Sequence, residues 1–143
     1  MKEKKDTINA DILSLQSLFD QEVSYRIPQF QRPYAWDEEV QWKPLWDDIH
    51  KLAIRILEAN ENEKIRPHFM GAIVLQQQKS NTGEVNKILV VDGQQRLTTL
   101  QLLIRAAEEA FQSRNDSVRA SRLRELTTNK ESHWGGDLSL IHI

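Results

Sequence analysis

The strongest constraint on this chain is an abrupt change of period at residue 92. Ile88-Leu89-Val90-Val91 is apolar at successive positions, and Asp92-Gly93 interrupts it. Leu97, Leu100, Leu103, Ile104, Ala107 and Phe111 then recur at helical spacing. The first pattern predicts a strand over 87–91 with both faces buried, and the second a helix starting near Gln94 or Gln95 with one buried face. Any fold must let a strand hand the chain straight to the opening turn of a helix.

The remaining segments fit round that junction. Asp11 is expected to cap a short helix facing inward with Ile12, Leu15, Leu18 and Phe19, and Val23 to Ile27 to form a strand. Two prolines bracket Pro28 to Trp36 (PQFQRPYAW), which is therefore a stiff extended loop. A helix follows from Asp37, its acidic first turn suiting the dipole, with Trp42, Leu45, Trp46, Ile49, Leu52, Ala53 and Ile56 as its core stripe and Pro44 kinking or restarting it. Phe69 to Gln77 predicts a second strand, joined to 87–91 through the turn signal Ser80-Asn81-Thr82-Gly83 as an antiparallel hairpin. Arg105 and Glu109 are spaced for a surface pair. Ser117 to Leu126 suits a further, weakly amphipathic helix. The expected class is α+β, a small, mainly antiparallel sheet with flanking helices.

Four stretches follow from this reading: a polar arm over 1–10, a domain over 11–112, the start of a truncated helical region over 113–134, and a tail over 135–143. Gly135-Gly136 precedes Asp-Leu-Ser-Leu-Ile-His-Ile, an apolar scrap that completes no element and looks foreign to the reading frame. It is expected to be dispensable.

Composition narrows the function. A net charge of −2 and a pI near 6.1 lack the basic excess of a dedicated duplex-DNA binder. There are no cysteines, which removes disulfides and thiolate metal sites and suits a cytoplasmic location. The N-terminus does not read as a signal peptide, and no apolar run approaches membrane-spanning length. The histidines show no metal-ligand spacing, and no Walker-type phosphate loop, serine elbow or histidine-centred nuclease motif is present.

Two stretches could carry chemistry. At Asp92-Gly93-Gln94-Gln95-Arg96, glycine permits a sharp turn, and the free N–H groups of a helix start favour an anion, phosphate above all. Arg96 adds a forked donor, the glutamines neutral donors and acceptors, and Asp92 a carboxylate for magnesium or a water. The structural alternative makes Asp-Gly a plain turn with Asp92 as N-cap. Against it stands Arg96, whose charge opposes the helix dipole; the residues alone leave both readings open. In the early loop, prolines hold Gln31 and Arg32 for presentation while Phe30, Tyr34 and Trp36 anchor it. The alternative there, which the residues alone favour, pairs Arg32 with Asp37 or Glu38. Trp42 and Trp46 read as helix core, His68 as structural, and Thr98 and Thr99 as bonding back to helix carbonyls.

Taken together, I-P-x-F-Q-R-x-Y-x-W and the later D-G-Q-Q-R-L-T-T-L resemble the GmrSD restriction endonuclease N-terminal domain family, of the ParB and sulfiredoxin-like superfamily. Phe69-Met70-Gly71 and Leu45-Trp46-Asp47-Asp48-Ile49 also fit, and the resemblance runs from about Leu13 to Phe111. It implies a domain that binds and slowly hydrolyses nucleoside triphosphate, with Mg2+, in bacterial and archaeal defence against phage with modified DNA. Cleavage would belong to a separate C-terminal nuclease domain, expected to be missing here, and modified DNA would be a partner of the full-length protein. The implied nucleotide site is Gln31, Arg32, Gly93, Gln94, Gln95 and Arg96, with Asp92 and Arg96 catalytic and Asp92 the magnesium ligand. The rival is a non-enzymatic module gripping DNA or a partner protein through Arg32 and Arg96; a third reading is a fragment too incomplete to act.

Overall fold

The computed structural model describes residues 9–21, 23–28, 33–79, 86–128 and 141–142. The chain runs α1 (Leu15–Phe19), β1 (Val23–Arg26), a π-helical turn (Glu38–Trp42), α2 (Lys43–Glu58), β2 (Val74–Gln77), β3 (Asn86–Asp92), α3 (Gln94–Ser113), α4 (Ser117–Thr127) and β4 (Ile141–His142). This is an α+β arrangement. Among the described residues no helix is long and apolar enough to cross a membrane.

The sheet has the order β2-β3-β1-β4 and is mixed. β2 and β3 form the expected antiparallel pair, whereas β1 lies parallel to β3, with Val23 opposite Asn86 and Arg26 opposite Leu89. The turn expected at 80–83 lies outside the described residues. The core gathers Leu18 and Phe19 of α1, Val23 and Tyr25 of β1, Val90 of β3, and Leu97, Leu100 and Ile104 of α3. Leu123 and Leu126 of α4 pack against it. Ile141 and His142 pair with Tyr25 and Arg26 along the outer edge of β1. Such pairing needs only backbone groups and is open to almost any extended sequence.

Several expectations are corrected. The first helix begins at Leu15 and is capped by Ser14, whose Oγ accepts from Ser17 N–H at 3.0 Å, not by Asp11; Ile12 lies fully exposed. The strands near the hairpin are not buried on both faces, since Val74 and Val91 are exposed and Val90 alone in β3 is fully enclosed. Their unbroken apolar runs reflect β-propensity more than burial. α2 buries no residue, so its stripe is not core. Arg105 pairs with Glu108 at 2.7 Å, not with Glu109. Glu108 is buried on the α4 side of α3 and also accepts from Arg124 Nε of α4 at 2.7 Å.

Tyr25 is fully enclosed, and its hydroxyl donates to the Leu18 carbonyl at 2.9 Å. Burial disfavours the phenolate and pushes this group up to about 12. An unfolded tyrosine titrates near 10. The folded state therefore holds its proton while the unfolded state loses it. This contribution is complete below pH 10 and is lost as pH rises toward 12, amounting to roughly 2–3 kcal/mol. Urea unfolding at pH 8, 10 and 11.5 should show that decline. Tyr25→Phe should start less stable, its Leu18 carbonyl unpaired, yet lose most of the alkaline slope. An unchanged slope would assign the decline to other groups.

Candidate functional site

The period change at residue 92 becomes a tight junction. β3 ends at Asp92, Gly93 stands in the left-handed region at φ 90°, and α3 opens at Gln94. Gly93, not Asp92, is the N-cap, and no side chain caps the helix. Asp92 Oδ1 accepts instead from the Gly93 N–H at 2.8 Å, which steadies the turn. A methyl at Gly93 would lie 3.1–3.3 Å from Ile73 and the Ala72 carbonyl, so close packing as well as backbone angle requires glycine.

Arg96 leaves the first turn of α3 and reaches across to the segment before β2. Its Nη1 donates to the Ala72 carbonyl at 2.6 Å. The guanidinium lies against Gly71, itself at φ 97°, where a Cβ would come within 2.7 Å of Arg96 Cζ. The Phe69-Met70-Gly71 motif thus has a physical reason: glycine makes room for the arginine. The motif alone gives no sign of that role in the sequence. The signal available was a glycine directly preceding an apolar strand run.

Gln95 holds the early loop. Its Oε1 accepts from Ala35 N–H at 2.8 Å, and its Nε2 donates to the Pro33 carbonyl at 3.0 Å. One side-chain amide therefore satisfies a donor and an acceptor of the same short strap, as a neighbouring strand would. Beside it runs a chain of hydroxyls. Thr99 Oγ1 donates back to the Gln95 carbonyl at 2.8 Å, as expected for a helix threonine. With that proton committed, the Tyr34 hydroxyl must donate to Thr99 Oγ1 at 2.6 Å. Trp42 Nε1 donates to the Tyr34 oxygen at 2.8 Å. The π-helical turn that places Trp42 is opened by Asp37, whose carboxylate accepts from Val40 N–H at 2.9 Å.

The structure thus brings Pro33, Tyr34 and Ala35 of the early loop onto Gln95 and Thr99 at the start of α3. Gln31 and Arg32, with Phe30, lie outside the described residues. Tyr34 anchors its loop chiefly through hydrogen bonds, remaining exposed, while Trp36 is half-buried. His68 sits 3.6 Å from Asp48 of α2. Among the described residues no three histidine, aspartate or glutamate side chains gather where they could hold a metal. Chemically, the junction offers a helix start without a side-chain cap, a carboxylate, and an arginine fork of which one nitrogen is tied to Ala72.

Gln95→Ala should release the strap. Two hydrogen bonds near 1 kcal/mol each imply a roughly tenfold or greater loss of exchange protection at the Ala35 amide. Hydrogen exchange read at peptide level over 33–42 tests this, and unchanged protection would mean that Tyr34 and Thr99 hold the loop alone.

The family model for the GmrSD restriction endonuclease, N-terminal domain, matches residues 15–138. No curated protein matches the sequence. The matched span takes in the early loop, the Gly71 segment and the Asp92–Arg96 junction. This chain belongs to the GmrSD restriction endonuclease N-terminal domain family.

Proposed function

We propose that this domain is the nucleoside-triphosphate-binding, slowly hydrolysing sensor of a modification-dependent restriction system, with DNA cleavage assigned to a separate nuclease domain. The observation that carries the reading is the junction itself. A 20-residue helix opens without a side-chain cap, and its first turn holds an arginine and no acid. The dipole there favours an anion and disfavours Arg96. A phosphate seated between them resolves both, drawing on backbone N–H groups and on the guanidinium donors beyond Nη1. Membership of the ParB and sulfiredoxin-like superfamily is part of the same proposal and rests on the family resemblance.

In this reading Arg96, with Arg32 from the early loop, holds the phosphates. Gly93 keeps the backbone open to them. Gln94 and Gln31 contact the nucleotide, while Gln95 positions the strap that borders it. Asp92 orients the attacking water or reaches the magnesium that accompanies a triphosphate. One carboxylate suffices for that role, because Mg2+ takes most of its ligands from phosphates and water. When bound, the ion would neutralise charge building on the phosphoryl oxygens. The junction has no lysine-bearing phosphate loop, so turnover should be slow and regulatory.

Titrating the purified chain with ATP and GTP, each with magnesium, tests the reading by calorimetry and phosphate release. Saturable binding with slow release supports it. Binding of DNA or a partner protein with no nucleotide binding would replace it with the non-enzymatic module gripping through Arg32 and Arg96. Asp92→Asn should keep nucleotide affinity and lose turnover.

A further inference from the structure

α2 is a 16-residue helix that contributes nothing to the core and buries none of its own residues. Leu45, Ile49 and Leu52 are half-buried on one side. The adjoining face is open. Trp42, the last residue of the π-helical turn, leads into Trp46, His50, Ala53 and Leu57 of α2 at intervals of four, four, three and four residues, which is one stripe of a helix with 3.6 residues per turn. Trp46 is 55% exposed, Leu57 83%, and Ile56 at the stripe's margin 55%. Trp46 lies stacked with His50, ring centroids 6.4 Å apart, so the face is already ordered.

We propose that this face pairs with the same face of a second copy of the chain, the two α2 helices running antiparallel about a two-fold axis near Ile49 and His50. Three properties of the helix select that partner. The first is shape. The two-fold sets bulky Trp46 over small Ala53 of the second copy, and Trp42 beside Leu57 of the second copy, so large meets small or the open end of the stripe. The second is charge. Lys43, Asp47, Lys51 and Glu58 lie along one flank of the stripe, all exposed. Antiparallel pairing brings Lys43 to Glu58 of the second copy and Asp47 to Lys51 of the second copy, each twice by symmetry. A parallel pair would turn the two charged flanks to opposite sides of the contact, so these four charges would not meet their complements. His68 and its partner Asp48 lie on the opposite flank and do not compete, while Lys43 lies 4.0 Å from Glu39 of its own chain, an exposed pair at the limit of contact that is readily exchanged.

The third is area. Aromatic side chains carry ~150–250 Å² each, so two partly exposed tryptophans with Ile56 and Leu57 present roughly 500 Å² of apolar surface, at the upper end of what a monomer leaves open. With the charged flank this approaches the ~800 Å² per partner of a standard interface. The contact is isologous, so it closes at two copies and does not propagate.

Sedimentation velocity and light scattering on the full 143-residue chain, from about 1 to 100 μM, test the pairing, with circular dichroism confirming the fold of each variant. The wild type should be a dimer. Lys51→Glu sets two acids facing on each side of the axis and should raise the dimer Kd at least tenfold. Asp47→Lys combined with Lys51→Glu reverses both partners and should restore it. Ala53→Glu removes the seat of Trp46 and should give a monomer. A monomeric wild type at every concentration overturns the proposal and gives the face to another partner. Association indifferent to Lys51→Glu and Ala53→Glu, or not restored by the double reversal, overturns the antiparallel register.

Discussion

Replacing Arg96 by alanine is expected to weaken nucleoside triphosphate binding by ten- to a hundredfold, because a charged hydrogen bond to phosphate is worth ~1.5–3 kcal/mol. The fold should survive. The lost bond to the Ala72 carbonyl is one partly solvated hydrogen bond, near 1 kcal/mol. Gly71→Ala gives an independent route to the same result. It keeps the arginine in the chain but puts a methyl 2.7 Å from its Cζ, at a φ of 97° that also strains any side chain, so the guanidinium must move. Binding should fall in both variants, by calorimetry with ATP and GTP at one magnesium concentration. Arg32→Ala should behave like Arg96→Ala, and the pair together should lose less than the sum, since both grip one ligand. Full affinity in Arg96→Ala, with the melting temperature lowered, would make this arginine purely a brace between α3 and the segment that precedes β2.

Much of that junction was legible in the sequence. The change of period at Asp92-Gly93 placed the end of β3 and the start of α3 within a residue, because glycine at a strand-to-helix boundary has few other uses. The antiparallel pairing of β2 and β3 was legible for a similar reason, since two apolar runs flank a turn signal in the sequence. What was not legible depended on long-range packing. β1 lies parallel to β3 through a connection of about sixty residues, and no local pattern encodes that direction. The α2 stripe has the spacing of a core face, yet periodicity shows only that a face is apolar, not that this chain covers it. Gln95 looked like a ligand donor and turned out to hold Pro33 and Ala35. A glutamine in sequence carries no sign of which amides it will meet. Glu108 gives no sign of burial in the sequence, since a helical acid beside a second acid reads as solvated, and its burial follows from α4 folding back after Asn115, which takes φ 60°.

The second large effect concerns that acid. Removing both Arg105 and Arg124 should destabilise the chain by about 3–5 kcal/mol, because a buried carboxylate is left without a cation. Each single alanine variant should cost far less, since the other arginine remains at 2.7 Å. The arginines are themselves about half exposed, so freeing them costs little when Glu108 is the residue removed. Glu108→Leu in the doubly substituted background should therefore recover most of the loss, by filling the site with apolar volume. Urea unfolding of the four variants measures this. Single losses that simply add, with no recovery from leucine, would show the carboxylate is well solvated and the cluster incidental.

The parallel pairing of β1 with β3 also sets an order of assembly. The hairpin, α3 and α4 are contiguous from residue 74 to 127, and their contacts close short loops. Val23 and Asn86 can meet only after the intervening chain has been closed into one large loop, an entropic cost paid before any contact repays it. The hairpin and its two helices should therefore form first on refolding, with β1 and the helix before it docking last. In the native state the same segment should be the first to open, so exchange of its amides should report a smaller free energy than that of α3.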